Sequence, residues 1–148
     1  MNSRVLNRSD GMTAHAIVMD KGDEPMTELR RWAEEHEVGA AAFTAIGAFR
    51  EATLGYFDPG HGDYLRIPVD EQVEVLSLTG DIAVADGRPQ VHAHVVVGLR
   101  DGTTRGGHLL EARVWPTLEV VMQESPAWLR KRHDPETGLT LIDLSSSG

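Results

Sequence analysis

Three histidines, His92, His94 and His108, are the residues whose type and spacing could do chemistry in this chain. Val91, Ala93, Val95, Val97 and Leu99 occupy alternate positions, the period of a strand with one buried face, so His92 and His94 project together from the other face. Their imidazoles then lie about 7 Å apart along the strand. Arg100-Asp101-Gly102-Thr103 contains the Asp-Gly pair favoured by a two-residue hairpin turn, in which both central residues need positive φ. The chain should therefore return antiparallel and carry Gly106-Gly107-His108 back beside the first strand. Pairing Arg100 with Thr103 sets Val95 opposite His108 and places that histidine on the apolar face. A shift of one residue reverses the parity, and a bulge at Gly106-Gly107 is where glycine would admit it. Both registers stay open. In the shifted one, three imidazoles leave a free fourth position on zinc or a similar divalent ion; the plainer reading of the pair is that His92 and His94 hydrogen-bond at a subunit contact. The chain has no cysteine, so a metal must be held by His, Asp or Glu.

These residues need a sheet to position them. Met12 to Met19 alternates as a strand, with Ala14, Ala16 and Val18 on one face and Thr13, His15 and Ile17 on the other. Asp23 to Glu37 reads as the main helix, with Asp23 as its cap, Pro25 in the first turn and Leu29, Trp32, Ala33 and His36 at helical spacing. His36 at its end suits the helix dipole better than a metal. Val38 to Phe49 reads as a buried strand, and Arg50 to Phe57 and Tyr64 to Val69 as short strands around the turn Asp58 to Asp63. His61 and its neighbouring carboxylates are there read as turn residues, not as a metal loop. Val73 to Val84 is a further strand with Leu76, Leu78, Ile82 and Val84 of one parity. Pro116 marks an edge or a bend before a strand at Thr117 to Gln123. Ser125-Pro126 opens a short helix through Arg132, whose Arg130-Lys131-Arg132-His133 reads as a solvated helix end. Leu139, Leu141 and Leu144 suggest a last strand. Residues 1–10 read as a flexible tail, 11–144 as one domain and 145–148 as a disordered tail.

Around the histidines the sequence resembles a family, the plants-and-prokaryotes conserved (PPC) domain. The matching runs are Glu74-Val75-Leu76-Ser77-Leu78-Thr79-Gly80, Asp86-Gly87-Arg88-Pro89-Gln90-Val91-His92-Ala93-His94-Val95 and Gly106-Gly107-His108-Leu109-Leu110-Glu111, in that order and spacing. The resemblance extends from about Gly11 to Leu144. It implies an α/β (α+β) single domain built on a largely antiparallel β-sheet with one main helix, assembled as a homotrimer. It also implies a divalent metal on His92, His94 and His108. In plants such domains accompany AT-hook DNA-binding segments, and free-standing prokaryotic members look like DNA-binding proteins of unsettled function. Gly87-Arg88-Pro89 shares the AT-hook tripeptide, but Asp86 precedes it and no Lys or Arg follows until Arg100, so it reads as a turn.

Bulk properties set the remaining bounds. The chain has 148 residues, 41% hydrophobic and 25% charged, which describes one ordinary globular domain able to bury a core. No apolar run reaches the roughly 18 residues of a membrane span, and Met1 to Asp10 lacks the core of a signal peptide, so a cytoplasmic location follows by default. A formal net charge of −9 opposes phosphate binding, so DNA is a disfavoured partner. Three function classes remain: an oligomeric metal- or ligand-binding protein, a DNA-binding regulator, and an enzyme. In the enzyme, Glu111 or another nearby carboxylate moves a proton for a metal-bound water. Glu111 also reads as a surface residue or as a brace for an imidazole. The first class asks for the fewest additional residues. The motivation for a trimer from residues alone is apolar Val96 on the histidine face and the small Gly47 and Gly55, which let sheets approach.

Overall fold

A computed structural model describes residues 1–145. Its elements are β1 (Asn2–Ser9), β2 (Met12–Met19), α1 (Pro25–Glu35), β3 (Ala40–Asp58), β4 (Asp63–Val69), β5 (Val73–Ala85), β6 (Arg88–Gly98), β7 (Thr104–Glu124), β8 (Lys131–His133) and β9 (Thr140–Ile142). The first seven strands form one antiparallel sheet in the order β1-β2-β7-β6-β5-β3-β4, and β8 pairs with β9 separately. β7 pairs with β3 as well, so the order β7-β6-β5-β3 closes on itself. The expectation of a largely antiparallel single domain with one main helix holds.

The alternation of the strands decides which face is filled. On β6, Ala93, Val95 and Val97 are buried while His94 and Val96 are exposed; on β2, Ile17 and Met19 are buried while Val18 is exposed. The buried set meets Phe43, Leu78, Leu118, Val120 and Met122 in one core. α1 lies against β6 and β7 and adds Leu29, Trp32 and Ala33, the i, i+3, i+4 stripe of the sequence. Its cap is Glu24, not Asp23: the Glu24 carboxylate accepts from the backbone N–H groups of Met26 and Thr27, at 3.3 and 2.8 Å, while Asp23 accepts from Asp20 N–H. His36 closes the helix with Nδ1 2.8 Å from the Trp32 carbonyl.

Several elements differ from the sequence reading, each for a physical reason. Residues 1–10, read as a flexible tail, contain β1, which pairs with β2 through an Asp10-Gly11 turn with φ of 52° and 80°. Every β1 side chain is exposed, so the strand is held by its backbone ladder and leaves no hydrophobic alternation. The two strands read at Val38–Phe49 and Arg50–Phe57 are one, because β3 runs through 19 residues by changing register at bulges. A register shift between Val75 and Ser77 turns Leu76 outward to 52% exposure, away from buried Leu78. Pro116 lies inside β7, in the break between the paired Val114 and Leu118, so the missing N–H costs no ladder bond. The helix read after Ser125 is absent; the Leu129 N–H bonds the Gly39 carbonyl, Val84 N–H bonds the Leu129 carbonyl, and Lys131 enters β8. Of the tail read at 145–148, residues 146–148 lie outside the described residues.

Gly80 is the tightest point beneath the histidine strand. A Cβ there would stand 2.3 Å from the His92 carbonyl oxygen and 2.4 Å from the Phe43 ring. Backbone cannot yield as a flexible side chain can. Gly80→Ala should therefore lower stability by roughly 1 to 3 kcal/mol, the usual cost of overpacking. At Gly106 the nearest neighbours of an added Cβ stand at 3.2 and 3.4 Å, so Gly106→Ala should cost clearly less. Urea midpoints of the two variants measure the difference, and equal midpoints would contradict it.

Candidate metal centre

The parity of the third histidine is settled by the length of the β6–β7 loop. Leu99 N–H donates to the Thr103 carbonyl at 2.8 Å and Gly102 N–H to the Leu99 carbonyl at 2.9 Å, leaving a three-residue loop in which Gly102 takes φ 82°. Asp101 accepts from the Thr103 N–H and hydroxyl, at 2.9 and 2.6 Å, and fixes that loop. The expected two-residue turn is thus replaced by a longer one, and the one-residue shift arises there, with no bulge between β6 and β7 at Gly106-Gly107. His94 consequently pairs with His108. All three imidazoles stand on the same side of the sheet.

Their geometry is compact. One ring nitrogen from each of His92, His94 and His108 lies within 4.8 Å of the others, the one group of this kind among the described residues. His92 Nε2 and His94 Nε2 are 3.2 Å apart, with one donating and the other accepting. The His92 and His108 rings stack at 5.1 Å and 30°. His108 is also stacked by Tyr64, whose ring lies at 4.6 Å and 28°. Gly55 makes that possible: it pairs with His108 on β7, and a Cβ there would stand 2.8 Å from the Tyr64 ring.

Two charged residues lie beside the cluster, Asp81 on β5 and Lys131, which the sequence reading puts at a solvated helix end. Asp81 sits opposite His92 in the β5–β6 register, with Oδ2 3.4 Å from His92 Nδ1 and Oδ1 2.5 Å from Lys131 Nζ. Burial would raise the Asp81 pKa, but contact with His92 and Lys131 outweighs it and holds the carboxyl below its usual value. The Lys131 side chain is 4% exposed, so it is a buried ion-pair partner and not part of a solvated helix end. Nothing in the local sequence signals this, because Lys131 reaches the site only through the β8–β9 hairpin. Glu111, expected near the histidines, instead pairs with Arg66 at 2.6 Å and is 64% exposed. His36 stays stacked on Trp32, and His61 bonds Asp58 within its turn at 2.6 Å.

The donor set fits a divalent ion on two grounds. A tetrahedral zinc with bonds of about 2.0 to 2.1 Å separates its donors by roughly 3.3 to 3.4 Å, close to the spacing of His92 and His94. His108 Nδ1 is buried with no hydrogen-bond partner, a deficit of the kind an ion-centred site explains. Burial first, then the charges of His92, His94 and Lys131, bring the His108 pKa down to about 4, and burial followed by His92 lowers that of His94. Both rings are neutral at pH 7, the form that ligates metal.

Residues 7–126 match the Plants and Prokaryotes Conserved (PCC) domain. A Pyrococcus horikoshii plant- and prokaryote-conserved protein is 26% identical, covers 99% of this chain and 97% of its own, and superposes with TM-score 0.84. A metal-containing protein from Archaeoglobus fulgidus is 33% identical over 87% of this chain and 91% of its own, with TM-score 0.79. A Ralstonia eutropha JMP134 protein, provisionally named as DNA-binding, is 30% identical over 88% and 90%, with TM-score 0.82. The Synechococcus sp. (strain JA-3-3Ab) bifunctional protein GlmU is 34% identical over 120 residues, and the chain spans only 18% of its length.

The lowered His108 pKa has a consequence for the metal-free protein. In the unfolded chain this imidazole takes a proton near pH 6.5, whereas in the fold it does so only near 4. The unfolded state therefore binds more protons between those values, and stability falls as pH drops from about 6.5 to 4. Urea midpoints in the presence of chelator should decline over that window, and His108→Gln should decline less. Parallel declines in both proteins would contradict the assignment.

Proposed function

The chain belongs to the Plants and Prokaryotes Conserved (PCC) domain family, and on that premise we propose that it is an oligomeric metal-binding protein holding one divalent ion, zinc above all, on His92, His94 and His108. The observation that carries this reading is the convergence of three imidazole nitrogens within 4.8 Å, one ring having a buried nitrogen without a partner. Three neutral ligands and an open position would give the bound ion Lewis acidity toward a water or an oxygen ligand. The chain's own contribution is orientation: Asp81 contacts Nδ1 of His92 while its Nε2 faces His94, and Tyr64 clamps His108. The kinship with a metal-containing Archaeoglobus protein supports this reading.

Turnover at such an ion is the enzymatic alternative, and Asp81 rather than Glu111 would be its nearby carboxylate. DNA binding is the alternative favoured by the Ralstonia relative, and the chain's charge of −9 weighs against it. Gly87-Arg88-Pro89 supplies no hook: Asp86 and Gly87 form a turn with φ of 50° and 77°, and Arg88 and Pro89 begin β6. Among the described residues no helix is long and apolar enough to cross a membrane, and we place the protein in the cytoplasm.

We also infer a homotrimer. The sheet face turned away from the core exposes Val18, Ile46, Val96 and Val121 by 41 to 62%, and exposed apolar residues that adjoin are the kind of surface a partner subunit covers. Val121 pairs with Ala16 on one side and Thr44 on the other, and Val18 and Ile46 flank Glu119 in the next row, so three of these residues adjoin. Covering that face permanently would bury upward of about 1,000 Å² per interface.

Metal analysis of the purified protein should find about one zinc per chain at a tetrahedral site. His92→Ala and His108→Ala should each abolish it, whereas His36→Ala should retain it; metal kept by the His108 variant would refute the three-histidine centre. Light scattering should give three times the 16.2 kDa chain mass. A monomer mass across a wide concentration range would refute the trimer.

A further inference from the structure

A cavity of about 630 Å³ opens directly above the three imidazoles. That volume lies within the range of small-molecule sites, and the lining combines two kinds of side chain. His92, His94, His108 and Lys131 supply its polar lining, and Tyr56, Phe57, Val91, Leu139 and Leu141 supply apolar wall. No Asp or Glu lines it, although the chain has 23 of them. The nearest carboxylate, Asp81, contacts His92 and has its charge matched by Lys131 at 2.5 Å. An ion bound by three neutral imidazoles would therefore present both positive charges to the cavity without a protein anion to balance them.

An anion with oxygen donors meets that demand beside the imidazoles, since zinc accepts carboxylate oxygen as well as histidine nitrogen and opposite charges attract. The apolar walls select what the anion is attached to. A simple inorganic anion would leave the aromatic and leucine surface wet, and a neutral apolar molecule would leave the ion's charge unmatched. We propose that this cavity binds a small organic carboxylate, with its oxygens at the positions the imidazoles leave free and its apolar body against Tyr56, Phe57 and Leu141. The inference rests on the metal reading above and adds a ligand class to it.

Cobalt(II)-loaded protein separates the two. Metal content is measured first, and the visible cobalt bands are then followed while acetate, benzoate and benzyl alcohol are titrated in turn. Benzoate should perturb the bands and bind on the order of tenfold more tightly than acetate, the gain expected from burying a modest part of its ring. Benzyl alcohol should bind more weakly than benzoate. Calorimetry on metal-free protein should show no benzoate binding. Tyr56 is 65% exposed, so Tyr56→Ala should fold normally, keep its cobalt and its acetate affinity, and lose most of the preference for benzoate. Benzoate binding no better than acetate, or equally well without cobalt, in protein carrying one ion per chain would overturn the ligand inference and leave the metal centre standing. Failure to load cobalt at all would overturn both.

Discussion

The pairing of His94 with His108 across β6 and β7 is the constraint on which the rest of the site depends. In an antiparallel pair a one-residue slip exchanges the faces of every side chain, so the site exists in one parity and is abolished in the other. The deciding structure is remote from the chemistry. Three loop residues, closed by Leu99 and Thr103 and held by the Asp101 side chain, set the register that carries His108 to the histidine face. Burial reinforces it: Val95 and Val97 face the core in this register, so a slip would bury imidazole and expose valine. Loop chemistry and core packing thus favour the same alignment.

Around that register, close backbone approach gives the aromatic rings their places. Gly107 stands so near β3 that a Cβ would lie 2.7 Å from the Gly55 carbonyl oxygen, and Gly55 in turn leaves room for Tyr64. The tyrosine then stacks on His108, as His92 also does. A stacked ring loses rotamer freedom when the fold forms, so less ordering remains to oppose a ligand that needs the imidazole in that position. Small residues here act through the space they leave, and they hold the imidazole from two strands at once.

Much of this was legible in the sequence, and the parts that were not share a cause. His92 and His94 announce their common face because alternation with Val91, Ala93 and Val95 is a local property. The sequence leaves the face of His108 open because Asp-Gly suits both two- and three-residue loops; at Asp10-Gly11 and Asp86-Gly87 the same dipeptide does close two-residue turns. β1 escaped notice because its support is backbone pairing, which polar side chains do not advertise. Lys131 was hidden within a basic run whose neighbours Arg130 and Arg132 serve other contacts, including Arg132 with Asp143. Its role depends on a non-local hairpin, and non-local contacts leave no period to read.

Lys131 also explains how an acidic chain can hold the nearby carboxylate of Asp81 back from its histidine cluster. The bulk charge of −9 gives the molecule a field that favours cations, although salt screens exposed charges beyond about 8 Å. Close to the imidazoles the balance is different: Asp81 is near enough to compete for a cation, yet its Oδ1 is held 2.5 Å from the buried ammonium of Lys131. Moving that carboxylate onto an ion would strand a lysine that is only 4% exposed, and an unpaired buried charge is costly. The ion pair therefore keeps Asp81 beside His92 as an orienting group. An ion on the three histidines would keep its full charge, and the partner that balances it must come from solution.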